Sequence, residues 1–135
     1  MDLEKRRELE ELAREYDLQL LILLGSYGTP DFQEEKSDID LAFLSRKAIS
    51  GNDKLKLLRD LGSFFQYCQI DLIDLGKASG LMKYEVALKG RLLYERKRSF
   101  FENYRLYCFR YYYDTRKFRL LKKEQFKEQL EVMKE

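Results

Sequence analysis

The first quarter of the chain changes from a helical pattern of apolar residues to an almost unbroken apolar run. In residues 3–16, leucines and a tyrosine recur at helical intervals among glutamates and arginines, which predicts a surface helix. Residues 18–24, LQLLILL, form an apolar run of strand length that ends at Gly25. Because this run does not alternate with polar residues, we expect a β-strand that is covered on both faces.

Three later segments have the pattern of strands. Residues 38–44, DIDLAFL, alternate polar and apolar positions, and residues 69–75, QIDLIDL, predict a further strand. Residues 91–95, RLLYE, predict a short edge strand. The segments between them, residues 52–67 and 78–89, have helical spacing. The pattern therefore predicts one α/β domain with a small sheet of about four strands and flanking helices.

The C-terminal segment predicts a helical tail. Residues 98–135 contain no Gly or Pro, and a helical stripe runs from Phe101 through Cys108 to Phe118. We expect a long helix with at most one break. On this basis we divide the chain into a core, residues 1–97, and a tail, residues 98–135, that packs on the core, on a partner, or on both.

Tyrosine and arginine crowd the first half of this tail. These two residue types are enriched at protein interfaces. The consecutive residues Tyr111, Tyr112 and Tyr113 spread around a helix, so at least one of them is left for solvent or for a partner. Aromatic and basic residues in alternation are also found in proteins that bind single-stranded nucleic acid. We rank direct nucleic-acid binding lower, because the chain is nearly neutral overall.

Composition limits the chemistry that the chain can perform. The net charge is only +2, and there is no histidine, so proton transfer and metal binding fall to carboxylates. Carboxylate oxygens favour hard ions such as magnesium. The two cysteines, Cys68 and Cys108, have no metal-ligand spacing and predict buried thiols in a reducing compartment. No signal-peptide pattern and no apolar run of membrane-spanning length is present, so we expect a cytoplasmic protein.

Two short motifs follow the apolar strand. Asp38 and Asp40 are separated by one residue, so on a strand their carboxylates share one face, where a cation would relieve their repulsion. Gly25 and Ser26 come directly after the strand, where a glycine allows backbone to approach a phosphate closely. A short helical turn beginning at Ser26 would add free N–H groups aimed at an anion. Each motif alone also fits an ordinary strand end or turn.

Together, the segments LILLGSYGTPDFQEEKSDIDLAFL and QIDLIDL resemble the DNA polymerase beta-type nucleotidyltransferase superfamily, and more narrowly its minimal nucleotidyltransferase (MNT) members. The resemblance covers about residues 18–95. It implies a polymerase beta-like nucleotidyltransferase fold and an ATP- and magnesium-dependent transfer reaction.

The resemblance also implies a role for individual residues. Gly25 and Ser26 would bind the nucleotide triphosphate, and Asp38 and Asp40 would ligate one or two magnesium ions. Asp71 would complete the acidic triad and help to activate the attacking hydroxyl. Asp74 is the other candidate for the third acid, but a regular strand places it on the opposite face from Asp71.

The loop after Gly25-Ser26 departs from the family pattern. Many members have an arginine soon after the Gly-Ser pair, whereas this chain continues Tyr27-Gly28-Thr29. Lys36 and Arg46 are two candidates for the missing positive charge, and the sequence does not choose between them.

The acceptor of the nucleotide is suggested by the same resemblance. Larger family members carry a second domain that holds the acceptor, and 135 residues leave no room for one. Stand-alone MNT proteins are often antitoxins of HEPN/MNT toxin–antitoxin pairs, which transfer AMP from ATP to a tyrosine of a HEPN ribonuclease toxin. Two alternatives stay open: a binding module with a decayed site that neutralises its partner by contact, and nucleotide transfer to a small molecule such as an aminoglycoside.

Overall fold

Four strands and five helices make up residues 1–134, the part of the chain that the computed structural model describes. This mixed α/β arrangement confirms the predicted fold class. The helices are α1 (Leu3–Glu15), α2 (Gly51–Phe65), α3 (Gly80–Lys89), α4 (Phe100–Asp114) and α5 (Arg116–Lys134), and the strands are β1 (Leu18–Leu24), β2 (Ile39–Ser45), β3 (Ile70–Asp74) and β4 (Arg91–Glu95).

The sheet has the strand order β3-β2-β1-β4. β1 is antiparallel to both β2 and β4, whereas β2 and β3 are parallel. Therefore the end of β1 and the starts of the other three strands lie at the same end of the sheet. We call this end, where strands begin or stop, the site edge. There Asp40 faces Leu24 on one side and Asp71 on the other.

The pairing of β1 with β4 contains an irregularity. Leu21 faces Tyr94, but the next residue, Ile22, faces Leu92, so Leu93 is an extra residue in β4. Such a β-bulge shifts the register of all later pairs by one residue. Beyond it, Arg91 is placed opposite Leu23, close to the site edge.

Apolar side chains cover both faces of β1, as its unbroken apolar pattern predicted. Leu21 and Leu23 pack on one face, against buried residues of α1 and α2. Leu20 and Ile22 pack on the other, against buried residues of α3 and α4. A slip of one residue would turn each of these side chains to the wrong layer. The core thus fixes the register that brings acidic residues to the site edge.

Serine caps set the starts of the two middle helices, which differ slightly from the predicted bounds. The Ser50 hydroxyl accepts a hydrogen bond from the Asp53 N–H at 3.2 Å, and α2 begins one residue earlier than expected. The Ser79 hydroxyl accepts from the Met82 N–H at 3.1 Å, and α3 begins two residues later than expected. Capping oxygens satisfy N–H groups that have no partner within the helix.

The tail is two helices with one break, at Thr115. The Thr115 hydroxyl donates to the Tyr111 carbonyl at 2.7 Å, a contact that bends helices. Of the three consecutive tyrosines, Tyr111 is 41% and Tyr113 is 60% exposed, which confirms that the helix cannot bury all of them. The α5 helix contacts α4 through Arg119, whose guanidinium lies 3.8 Å from the centroid of the Tyr112 ring, and it has no buried residue.

One cysteine differs from the prediction of two buried thiols. Cys108 is buried in α4, but Cys68 is exposed, because it lies in the connection between α2 and β3 rather than in the core. Among residues 1–134, no helix is both long enough and apolar enough to span a membrane.

Candidate active site

Three aspartates meet at the site edge. Asp40 is the second residue of β2, and its partner in the parallel register is Asp71 of β3. Directly paired residues on neighbouring strands have backbones about 5 Å apart and side chains on the same face. Asp38 lies just before β2, one residue outside the strand that the sequence predicted to begin there. Asp40 and Asp71 therefore share one face at one end of the sheet, and Asp38 lies close enough for its charge to act on Asp40.

The Asp40 carboxylate is the least hydrated of the three. It is partly buried, whereas Asp38 and Asp71 are exposed. Burial, followed by the negative charges of Asp71 and Asp38, raises the pKa of Asp40 above its ordinary value. Burial and like charges both disfavour an ionised carboxylate. A cation at this position would remove the repulsion and stabilise the ionised form.

The acids do not form a closed metal site by themselves. Within residues 1–134, no three His, Cys, Asp or Glu side chains are arranged so that they could hold a metal ion alone. Magnesium is typically bound through one or two carboxylates, with water and substrate phosphates as its other ligands. The donor set at the site edge, which is oxygen only and open to solvent, fits magnesium that arrives with a phosphate-bearing substrate.

Gly25 brings the turn after β1 into contact with these acids. Its φ is +72°, a conformation that favours glycine, and a Cβ at this position would lie 2.6 Å from Asp40 Oδ2. The absence of a side chain thus lets the backbone reach the carboxylate. The close approach joins the two motifs, Gly25-Ser26 and Asp38/Asp40, into one site.

The segment after Gly25 is a turn and not the start of a helix, which corrects the prediction of a helical turn at Ser26. The Thr29 N–H donates to the Ser26 carbonyl at 2.9 Å, and Gly28 has φ +81°, which a helix cannot contain. Tyr27 anchors the turn through edge-on contacts with the rings of Phe32 and Phe65, with centroids 5.2 and 5.5 Å apart.

Asp74 lies away from the acidic cluster. It pairs with Phe43, and its side chain falls on the opposite face of β3 from Asp71. Asp74 Oδ1 accepts a hydrogen bond from the Gly76 N–H at 2.9 Å, so the carboxylate closes the turn after the strand. Of the two candidates for the third acid, the structure brings only Asp71 next to Asp40.

The two candidates for the missing positive charge are placed differently. Arg46 follows the far end of β2, where its N–H donates to the Asp17 carbonyl at 3.0 Å. It is six positions beyond Asp40 along the strand, or about 20 Å away. It therefore cannot reach the turn. Lys36 lies in the exposed loop two residues before Asp38, so it stays near the acids.

A basic residue that the sequence analysis missed does contact the turn. Arg91 Nη2 donates to the carbonyl oxygens of Gly25 at 3.0 Å and of Tyr27 at 2.7 Å. It lies 66 positions from Gly25 in the sequence. The available signal was the edge strand itself, because an antiparallel neighbour of β1 must begin near the point where β1 ends.

Comparisons with known proteins agree with this geometry. Residues 7–99, more than half of the chain, match the family model described as Polymerase beta, Nucleotidyltransferase. No curated protein sequence is similar enough to count as a relative.

Several solved structures have the same fold. A chain of a toxin–antitoxin complex with AMP-PNP is 26% identical, with a TM-score of 0.67, and the match covers 95% of this chain and 98% of that chain. A chain of the complex between tri-AMPylated Shewanella oneidensis HEPN toxin and MNT antitoxin is 25% identical, with a TM-score of 0.64 and coverage of 98% and 99%. A chain of the MntA–HepT toxin–antitoxin complex, 23% identical, shares the fold with a TM-score of 0.63 and coverage of 98% and 99%.

The family match spans β1, the Gly25-Ser26 turn and all three aspartates, and the structural matches extend it through the helical tail. The chain therefore belongs to the polymerase beta nucleotidyltransferase family, and its structure resembles chains of MNT–HEPN toxin–antitoxin complexes.

Proposed function

We propose that this protein is an antitoxin that transfers AMP from ATP to a tyrosine of a HEPN-domain toxin. The observation that carries the proposal is the contact between Gly25 and Asp40, which makes a phosphate-binding turn and an acidic cluster parts of one site. The similar complexes that contain AMP-PNP and an AMPylated HEPN toxin support the choice of nucleotide and acceptor.

Asp38, Asp40 and Asp71 would hold magnesium together with phosphate oxygens of ATP. When bound, such an ion neutralises charge on the phosphates and makes a nearby hydroxyl easier to deprotonate. In this arrangement Asp40 is partly buried, and Asp38 and Asp71 are exposed to solvent.

The residues of the chain then divide the reaction between them. The backbone of Gly25 and Ser26 binds and orients the triphosphate, which places the α-phosphorus near the acids. The tyrosine oxygen of the toxin attacks that phosphorus, a new O–P bond forms, and the bond to the β-phosphate breaks so that pyrophosphate leaves. Asp71, an exposed carboxylate beside Asp40, takes the proton of the tyrosine hydroxyl.

The tail offers a surface for the toxin. It exposes several large apolar side chains, each at least 41% exposed: Tyr107, Tyr113, Phe118, Leu121, Phe126 and Leu130. Monomeric proteins rarely leave so many large apolar side chains exposed in one region. The matches to chains of toxin–antitoxin complexes cover 95% or more of this chain, so the tail falls largely within the shared fold.

The same surface favours a second candidate function, neutralisation of the toxin by contact alone. In that case the acids would be dispensable. Transfer to a small molecule has no comparable support, because the similar structures are toxin–antitoxin complexes.

Labelling of the toxin tests the two candidates against each other. We expect the wild-type protein, mixed with the product of the neighbouring gene, magnesium and labelled ATP, to place label on a toxin tyrosine. Asp38→Asn/Asp40→Asn should abolish the label, because the magnesium ligands are lost. Asp74→Asn is the matched control and should label normally. Neutralisation that survives the double substitution would favour the binding module, and label on a small acceptor alone would contradict both.

Removal of α5 tests the docking surface. A chain that ends at Thr115 should lose co-purification with the toxin and still bind Mg-ATP. Its melting temperature should fall by only a few degrees, because α5 contributes no buried side chain to the core. Unchanged capture of the toxin by the shortened chain would place the contact elsewhere.

Gly25→Ala tests the junction between the turn and the acids. The added Cβ would lie 2.6 Å from Asp40 Oδ2, and the alanine would have to adopt a φ of +72°, so the turn has to move. We expect Mg-ATP affinity, measured by calorimetry, to fall about tenfold or more, which corresponds to a loss of about 1.4 kcal/mol of binding free energy. Gly51→Ala adds the same methyl group where nothing lies within 4 Å, and it should bind as the wild type does. Equal affinities in the two variants would contradict the assigned geometry.

Asp40→Asn should stabilise the magnesium-free protein at neutral pH. The folded state raises the pKa of Asp40, so ionisation costs folding free energy above that pKa, and the amide avoids this cost. Thermal melts in chelator should therefore show a higher melting temperature for the variant at pH 7 to 8. The difference should shrink as the pH falls and vanish below the ordinary carboxyl pKa, about 3.9, where the folded and unfolded states of the wild type are both protonated. A lower melting temperature for the variant at pH 8 would contradict this assignment.

A further inference from the structure

We propose that Arg91 is the basic residue of the triphosphate site: it holds the Gly25–Gly28 turn in position and adds its charge beside the phosphates. This inference rests on the proposed function, because it takes the turn to be the place where the triphosphate binds. It assigns to β4, on the opposite side of β1 from the acids, a role in nucleotide binding.

The contacts of Arg91 define the shape of the turn. One nitrogen, Nη2, donates to two carbonyl oxygens, those of Gly25 and Tyr27. The other terminal nitrogen, Nη1, lies 3.4 Å from the position that a Cβ of Gly28 would occupy. Because a guanidinium is planar and rigid, bonds to two carbonyls fix the orientation of both peptide groups. With these carbonyls turned toward Arg91, the intervening N–H groups are free to point elsewhere.

Within the described part of the chain, the charge of Arg91 has no carboxylate partner. Among residues 1–134, none of the ion pairs involves Arg91, and its side chain is exposed. Carbonyl oxygens accept its hydrogen bonds without neutralising it. The turn that touches the acidic cluster thus has a positive charge on its other side. A bound triphosphate carries several negative charges, and an arginine binds phosphate with charge-assisted hydrogen bonds.

The chain is built to deliver Arg91 to this point. Gly90, just before it, would bring a Cβ within 2.4 Å of the Val86 carbonyl and 2.5 Å of Ile22 Cγ2. A residue with a side chain therefore cannot make this entry into β4 without displacement of α3 or β1. The close packing at Gly90 sets where β4 starts, and so sets where the guanidinium lies.

A purely structural role for Arg91 makes a different prediction from a role in binding. A structural clamp would matter for folding alone, and any residue that preserved the melting temperature would preserve nucleotide binding. A residue that also attracts the triphosphate would affect Mg-ATP binding even at temperatures where every variant is folded. Charge and hydrogen-bond geometry can be separated by comparing lysine, which keeps the charge, with glutamine, which does not.

The test compares Arg91→Gln, Arg91→Lys and a matched control, Arg96→Gln. Arg96 lies just beyond the other end of β4 and forms an ion pair with Asp17 at 2.9 Å, so its substitution removes the same charge far from the turn. Mg-ATP binding is measured by calorimetry at a temperature well below each melting point. We expect Arg91→Gln to weaken binding at least about tenfold, from the loss of charged hydrogen bonds, and Arg96→Gln to bind normally.

The lysine variant should recover part of the lost affinity, since it restores the positive charge without the planar guanidinium group. In toxin-labelling assays with Arg91→Gln, the KM for Mg-ATP should rise by a larger factor than kcat falls. Wild-type affinity in Arg91→Gln, or equal affinity of the lysine and glutamine variants, would overturn the inference while the proposed function stood. Conversely, if the wild-type chain binds Mg-ATP with the expected variant order but labels no toxin, the proposed acceptor fails and the role of Arg91 stands. A wild-type chain that does not bind Mg-ATP overturns both.

Discussion

Repulsion among Asp38, Asp40 and Asp71 is the constraint that the rest of the molecule must withstand. Three carboxylates at one sheet edge, one of them partly buried, destabilise the fold in the absence of a cation. They stay together because the strands that carry them are locked by burial of β1 on both faces. Burying an aliphatic side chain of this size contributes about 1.5–3 kcal/mol, and β1 alone contributes several such residues. The core is thus strong enough to hold an arrangement that electrostatics opposes.

The topology concentrates unlike parts at the same edge. Antiparallel pairing turns the end of β1 toward the starts of β2 and β4, and parallel pairing adds the start of β3. The turn at Gly25, an acidic face and an arginine therefore meet without any long loop to position them. The helices α1 to α4 lie on the two faces, and α5 has no buried residue. In the proposed function, this separation would let one end of the molecule hold a nucleotide while another contacts the toxin.

Local periodicity was enough to predict much of this arrangement. The unbroken run in β1 correctly indicated a doubly covered strand, and the alternation in β2 correctly indicated a strand that carries Asp40. Other features depend on which strands pair and in what register, which periodicity does not contain. For this reason Arg91 was missed, and Arg46 was considered although it lies at the far end of β2. The exposure of Cys68 and the turn at Ser26 likewise depend on local geometry that composition does not fix.

The extra residue in β4 decides which side chain stands opposite the end of β1. With regular pairing, Leu92 rather than Arg91 would stand opposite Leu23, and an apolar side chain would occupy the place of the guanidinium. The bulge at Leu93 takes up the extra residue and keeps Arg91 opposite Leu23, so deleting Leu93 would make the pairing regular without moving Arg91. A charge carried by the loop after β1 would not depend on how β4 pairs, whereas a charge supplied from β4 does. Chains that take their arginine from this strand must therefore keep the register between β1 and β4.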